Sequence, residues 1–262
     1  MMNSWLKNIL WLAFIIVIII AMGFVNSSKQ EKTIGLPKVT IKVYEDQLFL
    51  NEADILQKLI DKKLISEIHT YSNIDFAKIE FFLMGLSEVK QVDVHTKVSG
   101  NWQINIELRK PIARLFNLNG SSCYIDEEGK LMPLSNNYSA HVLTINGYVN
   151  ETDMNKSVKD VINNDSLKTI EILDDLFNIS NYVCSDKFFS SQITHIYVNS
   201  ENEFELIPRV GKQRILFGDS EQLVGKFKKL KIFYKEGIAN SGWGIYDTIN
   251  VKYKNQIVCS KK

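Results

Sequence analysis

The chain is poor in the residues that carry most chemistry. Its 262 residues include 3 cysteines, 4 histidines and 4 prolines. Cys123, Cys184 and Cys259 lie far apart, form no CxxC pair and are odd in number, so no disulfide framework is available; one bridge stays open beside the simpler reading of free, buried thiols. His69, His95, His141 and His195 are scattered singly. The last three fall in or at the start of predicted strands, where a strand histidine is a simpler reading than a ligand. There is no GxSxG and no P-loop. Of the SxxK sequences, Ser4 to Lys7 precedes a long apolar run and so lies on the wrong side of it for a transpeptidase. Asp126-Glu127-Glu128 sits in a predicted turn, and Asp174-Asp175 lies beside the apolar stripe of a predicted helix. Neither pairs with His or Cys at metal-ligand spacing. The residues therefore indicate no catalytic group, metal or cofactor. Lysine plus arginine number 31 against 30 acidic residues, a net charge of +1 that offers no global attraction to nucleic acid. Lys226, Lys228, Lys229 and Lys231 read as the solvated basic face of a late helix, with Phe227 and Leu230 turned inward.

What the chain has in quantity is one apolar run near its start. Between Lys7 and Lys29 there are 21 residues without a charge, about 32 Å of helix, or one hydrocarbon thickness. The expectation is a short cytoplasmic tail (1–8), a transmembrane helix (9–28) with Trp5 and Trp11 near an interface, and a polar linker (29–38). Ala21-Met22-Gly23 is a small-x-small pattern, but Phe24 and Val25 continue the run past it, which favours an uncleaved anchor over a signal peptide. The charges flanking the run, Lys7 before and Lys29, Lys32, Lys38 and Lys42 after, taken alone would keep the large domain in the cytoplasm. Long domains are insensitive to such a count.

Lys38–Tyr44 alternates and is β-branched, the pattern of a strand. Asn51 caps a predicted helix to about Lys62, and Asp75 caps a second whose stripe is Phe76, Ile79, Phe82 and Leu83, with Gly85 at its end. Val89–Lys97 and Trp102–Leu108 are the next strands, giving β-α-α-β-β. Further on come a strand at His141–Ile145, a helical pattern over Asn155–Phe177, and strands at Ile193–Val198, Glu203–Pro208 and Arg214–Phe217. A helix capped by Asp219 or Ser220 then runs to about Tyr234. A long extended element over Tyr246–Val258 closes the pattern.

The stretch Glu107–Ser135 joins the two halves. It reads ELRKPIARLF, NLNGSSC and YIDEEGKLMPLS: a strand closed by Pro111, then a hairpin turning at Asp126–Gly129. A strand ending in E-x-R-x-P-I-A-R, followed by Y-I-D-x-x-G and M-P-L-S, resembles the junction between the two extracytoplasmic domains of the bacterial cell-division family FtsQ/DivIB. IPRVGKQRILFG, KFKKL and INVKYKNQIV are similar to the family's second domain. The resemblance implies an α+β fold: an N-terminal transmembrane helix, a small β-α-α-β-β POTRA-like domain (39–110), and a larger mixed α/β domain with a mainly antiparallel sheet (111–262). It further implies an inner-membrane, single-pass protein with its main domains exported to the division septum. Such a protein is a non-enzymatic scaffold that binds partners resembling FtsB and FtsL and so helps control septal peptidoglycan synthesis.

The late strand is the candidate partner site. Ile249, Val251 and Tyr253 share one face of an extended chain, and a free strand edge invites an added strand. The residues leave two readings open, an exposed edge or a paired internal strand with Ile249 and Val251 in the core. The resemblance implies partner contacts at Tyr253 with its neighbours Lys252 and Lys254, and the strand-edge reading adds Ile249 and Val251. Two alternatives from other classes are a membrane-tethered enzyme acting on peptidoglycan, which lacks a visible nucleophile or metal motif, and a POTRA-bearing envelope assembly factor, which would need further POTRA copies or a barrel.

Overall fold

The computed structural model describes residues 5, 11–21, 33–44, 48–66, 69–70, 74–97, 101–150, 172–238 and 242–261. Within the apolar run, residues 11–21 are helical, about 16 Å at 1.5 Å per residue and half of what a bilayer core requires. The expected transmembrane helix is corrected on that length: among the described residues no helix is long and apolar enough to cross a membrane. The rest of the run, the tail before it and most of the linker lie outside the described residues.

The chain divides into two compact units, one comprising residues 1–43 and 50–108, the other 44–49 and 109–262. In the first, a three-stranded sheet runs in the order β2 (Lys38–Lys42), β5 (Trp102–Leu108), β4 (Val89–Thr96). β2 is parallel to β5, and β4 antiparallel to it. β5 buries every second residue, Trp102, Ile104, Ile106 and Leu108, so one sheet face is the core and the other is polar. Two helices supply the matching side: α1 (Glu52–Asp61) with Ile55 and Leu59, and α2 (Phe76–Met84) with Ile79 and Leu83. Asn51 closes a capping box with Asp54, and Asp75 accepts from the Lys78 N–H, as the sequence signals require. A short ladder, β1 (Thr33–Ile34) against β3 (His69–Thr70), completes the unit.

In the second unit the described residues form a nine-stranded sheet. It starts with β6 (Pro111–Phe116), β7 (Ser122–Asp126), β8 (Leu131–Met132) and β9 (Leu143–Gly147). Helices α3 (Leu173–Ser185) and α4 (Lys187–Gln192) lead into β10 (Ile193–Val198), β11 (Phe204–Pro208) and β12 (Arg214–Gly218). Helix α5 (Leu223–Ile232) widens into a π turn (Phe233–Ile238) before β13 (Tyr246–Asn250) and β14 (Val258–Lys261). The order is β14-β13-β12-β11-β10-β9-β6-β7-β8. Five of these eight pairings are antiparallel and three parallel.

The three helices cover one face, where Phe227 gathers Tyr182 (4.4 Å, stacked), Phe189 (4.8 Å) and Phe217 (4.9 Å) into one aromatic cluster. The turn after β7 is built by Asp126, which is buried. Its Oδ1 accepts from the N–H groups of Glu128 (2.9 Å) and Lys130 (2.7 Å), and its Oδ2 from Arg109 (2.7 Å). The helical pattern over Asn155–Phe177 lies mostly outside the described residues, and α3 begins at Leu173. α5 departs from its expected cap: Gln222, in the left-handed region, precedes it without a side-chain cap, because Asp219 is engaged by Lys226.

Candidate functional site

Strand β13 lies between β12, to which it is parallel, and β14, which returns antiparallel along its other side. Ile249 pairs with Ile215 on one flank and Cys259 on the other, and its side chain is 0% exposed. Val251, also 0% exposed, extends the ladder by donating its N–H to Leu216 O (3.1 Å). The exposed strip expected from Ile249, Val251 and Tyr253 therefore does not form, because the chain turns back before Val258 instead of running straight through it. Five polar or amphipathic residues, Lys252 to Gln256, are too hydrophilic for a core strand and long enough to close a hairpin. They were the available signal for the reversal.

The turn is pinned from three directions. Asn250 Oδ1 accepts from the Lys252 N–H (3.0 Å), a local Asx turn. Lys229 of α5 donates through Nζ to Val251 O (3.0 Å) and also to Tyr253 O. The Lys252 side chain crosses Gly218 at the end of β12 and donates to both carboxylate oxygens of Glu203 (3.0 Å each). Gly218 has φ +76°, and a Cβ there would lie 2.7 Å from Lys252 Cδ, so only glycine lets the lysine pass. Burial first, and the neighbouring Lys226 ammonium second, lower the Lys229 pKa below the ordinary lysine range.

The basic cluster on α5 is thus not a solvated face. Lys226 is 6% exposed and held by Asp219 (2.6 Å); Lys231 donates to Asp186 (2.6 Å); Lys229 caps the turn. Only Lys228 of the four is exposed. Sequence reasoning missed Lys229 because its role depends on where β13 ends.

Of the expected contact residues, Lys252 is exposed and ion-paired with Glu203, Tyr253 is 49% exposed, and Lys254 is exposed. Beyond them β14 is the outermost strand of the sheet, and among the described residues it pairs on one side only. Val258 stands out from it at 45% exposure, while Thr248 and Ser260 hydrogen-bond hydroxyl to hydroxyl (2.6 Å) across the β13–β14 pair. Beside this edge, a cavity of about 320 Å³ opens between α5 with its π turn (Ile232, Phe233, Gly237) and the segment Asn255–Ile257. An edge with unpaired backbone groups next to an apolar hollow suits recognition of an extended or helical protein segment.

The histidines serve other ends. His95 Nδ1 meets Asp93 (2.9 Å), and His195 Nε2 meets Asn146 Oδ1 (2.7 Å), with burial lowering the His195 pKa. Among the described residues no group of His, Cys, Asp and Glu is placed to hold a metal ion. Cys184 lies near His141 in a second cavity, but its thiol donates to Ile112 O (3.2 Å). Although the residue is exposed at the surface, the protein packed round its sulphur, offset in part by Lys110, pushes its pKa up to about 11, far from a nucleophilic thiolate. The Ser4–Lys7 motif and the side chain of His69 lie outside the described residues.

No match is found among curated proteins. Residues 110–260 match the family model described as FtsQ/DivIB, C-terminal related. The match spans more than half the chain, and within it falls everything from the start of β6 to the outer strand β14. Members of FtsQ/DivIB are non-enzymatic cell-division proteins, and this chain belongs to the FtsQ/DivIB C-terminal related family, with a role in cell division.

Proposed function

We propose that the chain is a division scaffold that captures a partner segment on the outer edge of β14. The free side of that strand is the observation that carries the reading. A partner strand adds to β14 through backbone hydrogen bonds. Tyr253 and Val258 give side-chain contact, Lys252 and Lys254 favour acidic partner residues, and apolar partner side chains enter the hollow by Ile232 and Phe233. Ile249 and Val251 support this edge from within the core. The partners are division proteins resembling FtsB and FtsL, and the assembly controls septal peptidoglycan synthesis without catalysing a reaction. Both units work outside the cytoplasm at the septum. The first unit, whose β2-β5-β4 sheet and two helices suit a POTRA-like domain, recruits further division proteins.

The test is binding of an FtsB-like protein from the same cell to Tyr253→Asp and Val258→Asp variants. Both side chains are exposed, so the fold is retained. We expect at least roughly tenfold weaker capture, about 1.4 kcal/mol. Unchanged affinity in both variants would remove β14 as the site.

A further inference from the structure

We propose that the second unit carries an oxyanion-binding pocket at the amino-terminal ends of the three parallel strands β6, β9 and β10. A cavity of about 640 Å³ opens there, lined by the segments 110–112, 141–144 and 193–194, by the end of α3, by α4, and by Arg209 from the β11–β12 turn. Lys110, Arg209 and His141 bring its basic groups, Thr144, Ser190 and Thr194 bring hydroxyls, and among the described residues no carboxylate lines it.

Several basic side chains of the unit meet acids: Arg109 with Asp126 (2.7 Å), Arg214 with Glu205 (3.3 Å), Lys226 with Asp219 (2.6 Å), Lys231 with Asp186 (2.6 Å) and Lys252 with Glu203 (3.0 Å). Arg209 and Lys110 meet no carboxylate among the described residues. The Lys110 ammonium lies 5.9 Å from the Tyr44 ring centroid instead, and its charge reaches the Cys184 sulphur in the cavity wall.

The turn that presents Arg209 is also fixed in advance. The Arg209 N–H donates to Gln192 O (2.6 Å), and the side-chain amides of Gln192 and Gln213, both buried, donate to Val210 O (3.4 Å each). Gly211 follows with φ +95°, and a Cβ there would collide with Gln213 Oε1 at 2.0 Å. Buried amides thus hold a tight turn with two exposed cations, Arg209 and Lys212, of which Arg209 lines the cavity. Guanidinium and ammonium groups set around a concave wall bind phosphate or carboxylate oxygens through charge-assisted hydrogen bonds. The volume falls in the range of small-molecule sites and exceeds what a lone phosphate fills. The ligand class is a small molecule bearing several anionic oxygens, phosphoryl or carboxylate.

The pocket lies apart from β14, so its fate is independent of the partner edge. The experiment is calorimetric titration of the full chain with inorganic pyrophosphate and, separately, with citrate at physiological salt. We expect saturable one-to-one binding of at least one probe, weakened about tenfold or more by Arg209→Gln and by Lys110→Gln, and unchanged by Lys228→Gln, which alters an exposed lysine away from the cavity. Tighter pyrophosphate binding assigns a phosphoryl ligand, and tighter citrate binding a carboxylate one. Absence of saturation with both probes, or equal weakening by Lys228→Gln and Arg209→Gln, would overturn the proposal.

Discussion

Replacing Lys229 with methionine isolates the contact that shapes the partner edge. Methionine keeps the side-chain packing against α5 and removes the ammonium that donates to Val251 O and Tyr253 O. Hydrogen bonds from charged donors contribute roughly 1.5–3 kcal/mol. Here two offsets apply. Lys229 is itself disfavoured by burial, as its lowered pKa records, and the freed carbonyls sit in a turn that water can reach. The expected net loss is therefore about 1–2 kcal/mol. With a urea slope of about 2 kcal/mol/M, the unfolding midpoint falls by roughly 0.5–1 M. The loss is also local, so amide exchange should accelerate about tenfold through Val251–Lys261 while β10 and β11 keep their protection. Lys228→Met, which alters an exposed lysine, is the control and should stay within about 0.5 kcal/mol of the parent. An unchanged midpoint together with unchanged exchange over Val251–Lys261 would show that Lys229 does not hold the turn.

Two further perturbations test neighbouring parts of the same reasoning. Gly218→Ala places a Cβ in a left-handed backbone and against Lys252, and should cost about 1–2 kcal/mol in denaturant unfolding; a midpoint equal to the parent's would mean that Lys252 does not need that passage. His195 titrates below its ordinary 6.5 in the folded chain because burial disfavours its charge. As pH falls from above 6.5 toward that lowered value, the unfolded chain takes up a proton that the folded chain does not, so stability falls with acidification. His195→Gln should flatten this part of the stability profile as pH falls below the ordinary histidine value of 6.5, and an identical slope in the variant would refute the assignment.

Local signals were legible where chemistry and geometry are both short-range. Asn51 and Asp75 cap their helices as the sequence pattern requires, and the Asp126 turn bonds its own backbone. The alternation in WQINIEL reads directly as the one-faced burial of β5. The apolar run misled because composition sets hydropathy, whereas crossing a bilayer requires length in one helix, and the described helix covers residues 11–21. The edge misled for a different reason. Alternation over Tyr246–Val258 fits a straight strand and a hairpin equally well, and the choice rests on Lys229 and Lys252 meeting partners far away in sequence. That Arg209 and Lys110 meet no carboxylate among the described residues could not be recognised beforehand, since it is a property of the folded surface and not of their neighbours in the chain.

Strand β14 is four residues long and gripped from one side, by β13 alone. A strand held in this way frays more readily than the strands inside the sheet, so on the proposed reading docking of the edge and capture of a partner draw on one equilibrium. A partner's affinity would then be its intrinsic affinity scaled by the fraction of molecules with β14 in place. The Thr248–Ser260 hydroxyl pair, which ties β14 to β13, would set recruitment strength as a dimmer sets a lamp.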